Sequence, residues 1–191
     1  MSYTVRRLFE RDFFNLQDQW DALLNTSNAD PLFMSWAWQV SWWETWGNKL
    51  DLELLLLAVF DGDENLVGIA PLYLSSVTTP LGWKVRRLHV VGNAWKLGPT
   101  VRTEYVGVIV ERRQQQSVMD TLSDYLAGLD WDEMIFADAS ARSMNMVETS
   151  LCDRLDLSRL VRSESGGVVI PVQGVFADWL ARLGKNTRLK V

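Results

Sequence analysis

The chain holds one cysteine and one histidine in 191 residues, Cys152 and His89. A single cysteine excludes a disulfide framework within the chain and points to a reducing compartment, the cytoplasm. One cysteine and one histidine leave no metal cluster that is not built almost wholly from carboxylates. Long apolar runs are missing as well. The longest, Leu54–Phe60, is seven residues, against the roughly 20 a membrane helix needs, so no membrane span is expected. Met1-Ser2-Tyr3-Thr4-Val5-Arg6-Arg7 lacks an apolar stretch and a small-residue cleavage site, so no secretory signal is read there. Repeats, low-complexity tracts and Pro/Gly/Ser-rich linkers are absent, which predicts one compact unit over 1–183. There is no Gly-x-Ser-x-Gly, and Gly82 and Gly92 form no dinucleotide fingerprint, which weakens hydrolase and Rossmann readings.

What is present is globular: 48% hydrophobic and 23% charged residues. The net charge of −5 argues against non-specific nucleic-acid binding. The charge is uneven. Residues 1–64 carry 4 basic and 11 acidic side chains, residues 65–83 carry none, and residues 84–113 carry 7 basic and 2 acidic. That positive middle suits an anionic ligand or, more simply, a solvated strand face. Tryptophan is abundant, with 10 in all and six between Trp20 and Trp46. Such a cluster suits a stacking platform for sugar rings or nucleobases, and equally the filling between helices and a sheet.

Periodicity and turn chemistry predict strands over Tyr3–Leu8, Leu52–Phe60, Leu66–Val77, Trp83–Val91, Tyr105–Val110, Trp131–Ala137, Leu157–Arg162 and Val168–Val172. Helices are predicted over Asp12–Asn25 with Asp12 as N-cap, Ser35–Gly47 with Ser35 as N-cap and Gly47 as stop, Ser117–Leu129, Ser143–Cys152 and Val175–Leu183. Asp61-Gly62-Asp63-Glu64-Asn65 reads as a hairpin turn, and Pro71 inside its strand points to an edge or a bulge. The fold class is α+β, with a central mixed, largely antiparallel sheet flanked by helices.

Several residue strings resemble those of a known family. Trp20-Asp21-Ala22-Leu23-Leu24 followed by Pro31-Leu32-Phe33-Met34-Ser35-Trp36 is similar to the opening of the CelD/BcsL-type GNAT proteins, tandem acetyltransferases related to the FemABX group. Val67-Gly68-Ile69-Ala70-Pro71-Leu72-Tyr73, Arg86-Arg87-Leu88-His89-Val90-Val91-Gly92, Thr103-Glu104-Tyr105-Val106-Gly107 and the basic stretch Asp178–Arg188 resemble later strands and a linking helix of that family. The resemblance covers the whole chain but only the first half of the family. It implies a GNAT-like acyltransferase fold, acetyl-CoA as donor, a sugar or amino-acyl acceptor in cellulose or exopolysaccharide synthesis, and residues 184–191 as the start of a helix linking to a second GNAT domain that holds the cofactor.

The residues allow few roles. At Val110–Ser117, where this fold cradles pyrophosphate against a helix N-terminus, there is no glycine, and only Arg112 and Arg113 are left as weak cofactor-binding candidates. His89 is a candidate general base, but its alternating strand favours a packed or surface strand histidine, and Cys152 reads as a buried structural thiol. No catalytic residue is assigned. The substrate-binding candidates are Trp95, Glu104 and Tyr105, around a loop at a strand entrance, and Asp138, at the C-terminal end of a strand. Three readings follow. The chain is the N-terminal half of an acyltransferase, a non-catalytic glycan- or protein-binding module with Trp36, Trp38, Trp42, Trp46 and Trp95 as its docking surface, or a structural domain that pairs with another copy through its Trp-rich helix.

Overall fold

The computed structural model describes residues 2–94, 97–166, 175–182 and 184. The chain divides into two compact units, Met1–Ser158 and Arg159–Val191. The first unit contains, in order, β1 (Thr4–Leu8), α1 (Glu10–Asn15), α2 (Gln17–Thr26), α3 (Trp36–Trp46), β2 (Glu53–Phe60), β3 (Leu66–Thr78), β4 (Lys84–Val90), β5 (Ile109–Val110), α4 (Gln115–Ala127), β6 (Glu133–Ile135), α5 (Ala141–Val147) and α6 (Asp153–Leu155). A π turn, Glu148–Cys152, joins α5 to α6. The second unit contains α7 (Phe176–Arg182), where Phe176 stacks on Trp179 one turn on.

The sheet has six strands in the order β1-β2-β3-β4-β6, with β5 paired to the stretch of β3 that β4 does not reach. All pairings are antiparallel except β4–β6, which is parallel. The α+β fold with a mixed, largely antiparallel sheet and flanking helices is therefore as expected. Leu54–Val59 is buried without a break, because helices cover both faces of β2 and no position alternates outward. On β3, Tyr73 meets Trp42 and Trp43 of α3. Gly68, of opposite parity, faces Val118 of α4, so the two helices lie on opposite faces.

The approach at Gly68 leaves no room for a side chain. A Cβ there would lie 2.5 Å from Val118 Cγ1 and 3.2 Å from Val59 Cγ2. Gly68→Ala is therefore expected to destabilise the chain by about 1–3 kcal/mol. A shift in the urea midpoint at unchanged m-value would show it, and an unshifted midpoint would mean that α4 is free to move away.

Several elements differ from the sequence expectation. The helix expected over Asp12–Asn25 is two helices, broken at Leu16. Phe9, not Asp12, is the N-cap: Asp12 sits three residues in, where its carboxylate accepts from Phe9 N at 3.0 Å. Pro71 lies in the central strand, opposite Leu56 of β2, rather than at an edge or bulge. Its carbonyl accepts from Val91 N at 2.8 Å. Its nitrogen faces the same side, where partnership passes from β5 at Ile69 to β4 at Leu72, so the missing N–H breaks no ladder bond. Tyr105–Val110 shortens to the two residues of β5 plus one bridge, Val106 with Ala139. Leu157–Arg162 is irregular rather than a strand: it joins no ladder among the described residues, and Leu160 is 76% exposed. The strand expected at Val168–Val172 lies outside the described residues. Cys152 is half-buried on the π turn rather than fully buried.

Ser35 and Gly47 cap α3 as expected, and the Ser35 hydroxyl accepts from Trp38 N. The helix is core and not a bare docking face. Trp42 and Trp43 are buried, and Trp36 and Trp46 pack against the core. Each of four indole N–H groups has its own acceptor: Trp36 on Phe13 O, Trp38 on Thr103 Oγ1, Trp42 on Val101 O and Trp43 on Glu10 Oε1. Buried indoles need such partners, and these four tie α3 to α1 and to the loop after β4.

Candidate functional site

The parallel pair β4–β6 ends in two loops that meet. Asn93, just after β4, donates from Nδ2 to Asp138 Oδ2, just after β6, at 2.7 Å. Arg102 completes the cluster. Its Nε donates to the same oxygen at 2.5 Å, and its Nη2 donates to Oδ1. The hydrogen bonds and charge of Arg102 hold the Asp138 carboxyl below the usual carboxylate range, and Asp138 raises Arg102 in return. Carboxyl ends of adjacent parallel strands are where open sheets gather ligand groups.

The backbone makes this meeting possible. Gly92 has φ +109, which glycine alone adopts without strain, and its α-carbon lies against Thr103, which a Cβ would meet at 2.9 Å. Thr103 is buried and its hydroxyl accepts from Trp38. Tyr105 (φ +53) and Asp138 (φ +60) are both left-handed, and each directly precedes a member of the parallel bridge Val106–Ala139. The bridge therefore sets Glu104 and Tyr105 beside Asp138, and three of the four substrate-binding candidates come together. The fourth, Trp95, lies outside the described residues. Glu104 is exposed and makes no ion pair among the described residues; its charge reaches Arg102. Tyr105 is 50% exposed.

Asn93 and Arg102 belong to the loop expected here but were given no role of their own, Trp38 was expected only on a docking face of its helix, and Phe33 was not expected. Phe33 meets Trp38 edge-on at 5.0 Å and Tyr105 at 6.1 Å. No local pattern marks these residues, because they come from separate segments that only the fold unites.

Behind the loop lies a buried aromatic pair. His89 is 2% exposed, stacks on Tyr73 with centroids 4.9 Å apart, and has no hydrogen-bond partner at Nε2 among the described residues. The Tyr73 hydroxyl donates to Asn93 O at 2.7 Å. Burial pushes the Tyr73 phenol up; burial, aided by Arg87, pushes the His89 imidazole down to about 4. Of the packed and surface positions that its strand left open, His89 occupies the packed one.

The entrance to α4 is different. The Arg112 guanidinium is committed within the protein, donating to Ser27 O at 2.7 Å and Asn25 O at 3.3 Å. It holds the end of α2 against the start of α4. Arg113 is exposed and makes no ion pair among the described residues. A hollow of about 320 Å³ beside them is lined by Asn25, Thr26, Glu111, Arg112 and Arg113, so a carboxylate shares it with the cations. The space between Val108, Val110, Gln115 and α5 is only about 20 Å³, room for about one water. A coenzyme A molecule needs a free anion cradle and a channel for its pantetheine arm. These residues, with no glycine over 111–117, do not fit one. Among the described residues no group of three or more His, Cys, Asp or Glu could hold a metal ion, and no helix is long and apolar enough to cross a membrane.

No family model and no curated protein matches the chain. Among solved structures the chain is similar to an acetyltransferase of Trypanosoma brucei, at 15% identity and a TM-score of 0.44, over 87% of this chain and 100% of the other. It is also similar to glucosamine-6-phosphate N-acetyltransferase of Arabidopsis thaliana, at 10% identity and a TM-score of 0.43, over 87% and 99%. A third likeness is to aminoglycoside 6'-N-acetyltransferase AAC(6')-Ih of Acinetobacter baumannii, at 11% identity and a TM-score of 0.46, over 89% and 100%.

Proposed function

We propose that this chain is a GNAT-like unit of an acyl-CoA-dependent acyltransferase, and that it supplies the acceptor side, taking a sugar or amino-acyl acceptor. The observation that carries the reading is the Val106–Ala139 bridge, which gathers Glu104, Tyr105 and Asp138 at the carboxyl ends of the parallel strands. On the resemblance of the residue strings, the setting is cellulose or exopolysaccharide synthesis. In this reading acetyl-CoA is held by a second GNAT-like unit, and the misfit at the α4 entrance supports that. No acyl-transfer step is assigned to a residue of this chain. A second reading, a non-catalytic glycan- or protein-binding module of the same fold, is favoured by that same misfit.

Two measurements separate the readings. Calorimetric titration of acetyl-CoA into the 191-residue chain is expected to show no micromolar binding. Such binding would return the donor site to Arg112 and Arg113. Thiol release from acetyl-CoA is then followed with the gene's whole product and a sugar or amino-acyl acceptor. Release that falls in Glu104→Gln and Asp138→Ala supports the acceptor-side reading. Release that both substitutions leave unchanged overturns it, and no release at all favours the binding module.

A further inference from the structure

Tyr105 occupies an unfavourable backbone position and returns little to the fold. A bulky residue at φ +53 is an outlier, since its Cβ crowds the backbone where glycine or asparagine would not. Its side chain is half exposed and outside the core, and its hydroxyl makes no hydrogen bond among the described residues. Strain kept without a packing return is a mark of a functional position. The surroundings say which function. Behind Tyr105 stands Phe33, itself held edge-on by Trp38. Trp38 is pinned through its indole N–H to Thr103 Oγ1 at 2.9 Å, two residues before Tyr105. The three rings are thus braced from both ends. At the rim, Glu104 offers a carboxylate without an ion pair among the described residues, and Arg102, whose side chain is 74% exposed, keeps guanidinium N–H groups beyond those spent on Asp138.

We infer that Tyr105, with Phe33 and Trp38 behind it, is a stacking platform for the apolar face of a pyranose ring, with Glu104 and Arg102 bonding the ring hydroxyls. The inference rests on the acceptor-side reading and selects the saccharide branch of it. An amino-acyl group is too small to need three braced rings. A nucleic acid would bring phosphates to a chain of net charge −5.

Saturation-transfer NMR on the 191-residue chain, with cellotetraose, glucosamine and alaninamide as probes, tests it. The expected result is saturation on the ring C–H protons of at least one saccharide, weakened about tenfold in Tyr105→Gly. Glycine relieves the left-handed strain, so this variant is expected to melt no lower than the parent, and the loss cannot be put down to unfolding. Phe33→Ala should weaken the same saccharide. Equal binding by parent and Tyr105→Gly overturns the platform. So does alaninamide binding without either saccharide, which leaves the acyltransferase reading standing, and so does silence from all three probes. Saccharide binding by a gene product that releases no thiol keeps the platform and removes the acyltransferase.

Discussion

Trp20→Ala is expected to cost about 3–5 kcal/mol, a large share of what holds a domain of this size folded. Trp20 is fully buried at the centre of the packing between α1, α2 and the loop before α3. Its ring stacks on Phe13 at 5.5 Å, and its indole N–H donates to Met34 O at 2.8 Å. Alanine removes the ring, opens a cavity bordered by Phe13 and Met34, and leaves a buried carbonyl unpaired. Urea unfolding followed by circular dichroism measures the cost. Trp20→Phe is the control: it keeps most of the ring volume and loses the N–H, and should recover more than half of the loss. A Trp20→Ala chain within about 1 kcal/mol of the parent would show that the α1–α2 layer is not part of the cooperative core.

The second large effect is on stability against pH. His89 is buried and neutral in the folded chain, with its pKa lowered from 6.5 to about 4 by burial and by Arg87. Unfolding lets the imidazole take up a proton at the ordinary value. The unfolded state therefore binds more protons between those two values, and stability falls as pH falls. The contribution is complete above about 6.5 and is lost on descending to about 4. The gap corresponds to about 3 kcal/mol. Asp138, Asp124 and Asp61 also lose native stabilisation in acid. Their pKa values lie below the ordinary 3.8, so they act below the window in which His89 titrates. His89→Phe keeps the stack on Tyr73 and removes the titration. Denaturant midpoints between pH 7 and 4 should slope steeply for the parent and stay nearly level for the variant. Equal slopes in both would mean that His89 titrates in the folded chain as it does in the unfolded one.

Most elements were legible in the sequence because local chemistry decides them. Ser35 and Gly47 bracket α3 because a hydroxyl satisfies the first turn's N–H groups and a glycine ends the last. The Asp61–Asn65 turn forms because the Asp61 carboxylate collects the N–H groups of Asp63 and Asn65. Leu52–Phe60 reads as a strand because its apolar run, Leu54–Phe60, has no polar face and must be covered twice. At Pro71 distant partners override the local signal. Pro71 is harmless in a central strand because β5 and β4 meet opposite it. Leu16 breaks a helix that its apolar spacing would continue. Leu157–Arg162 joins no strand ladder among the described residues although its residues favour strands.

By its own pattern the sequence determined the α+β class, the order of the main strands and helices, and the choice of Glu104, Tyr105 and Asp138 as the residues to examine. These rest on spacing and turn chemistry, which act over a few residues. Only the tertiary structure decided that Asp138 is clamped by Asn93 and Arg102, that Arg112 is spent on Ser27 and Asn25, and that Tyr105 stands strained before Phe33 and Trp38. Those pairings span between 36 and 87 residues of chain for the charged clamps. The Asp138 clamp exists because a parallel bridge and two left-handed residues bring separate loops to one place, and the Arg112 pairing because the end of α2 lies against the start of α4; a one-dimensional pattern carries no signal for such meetings.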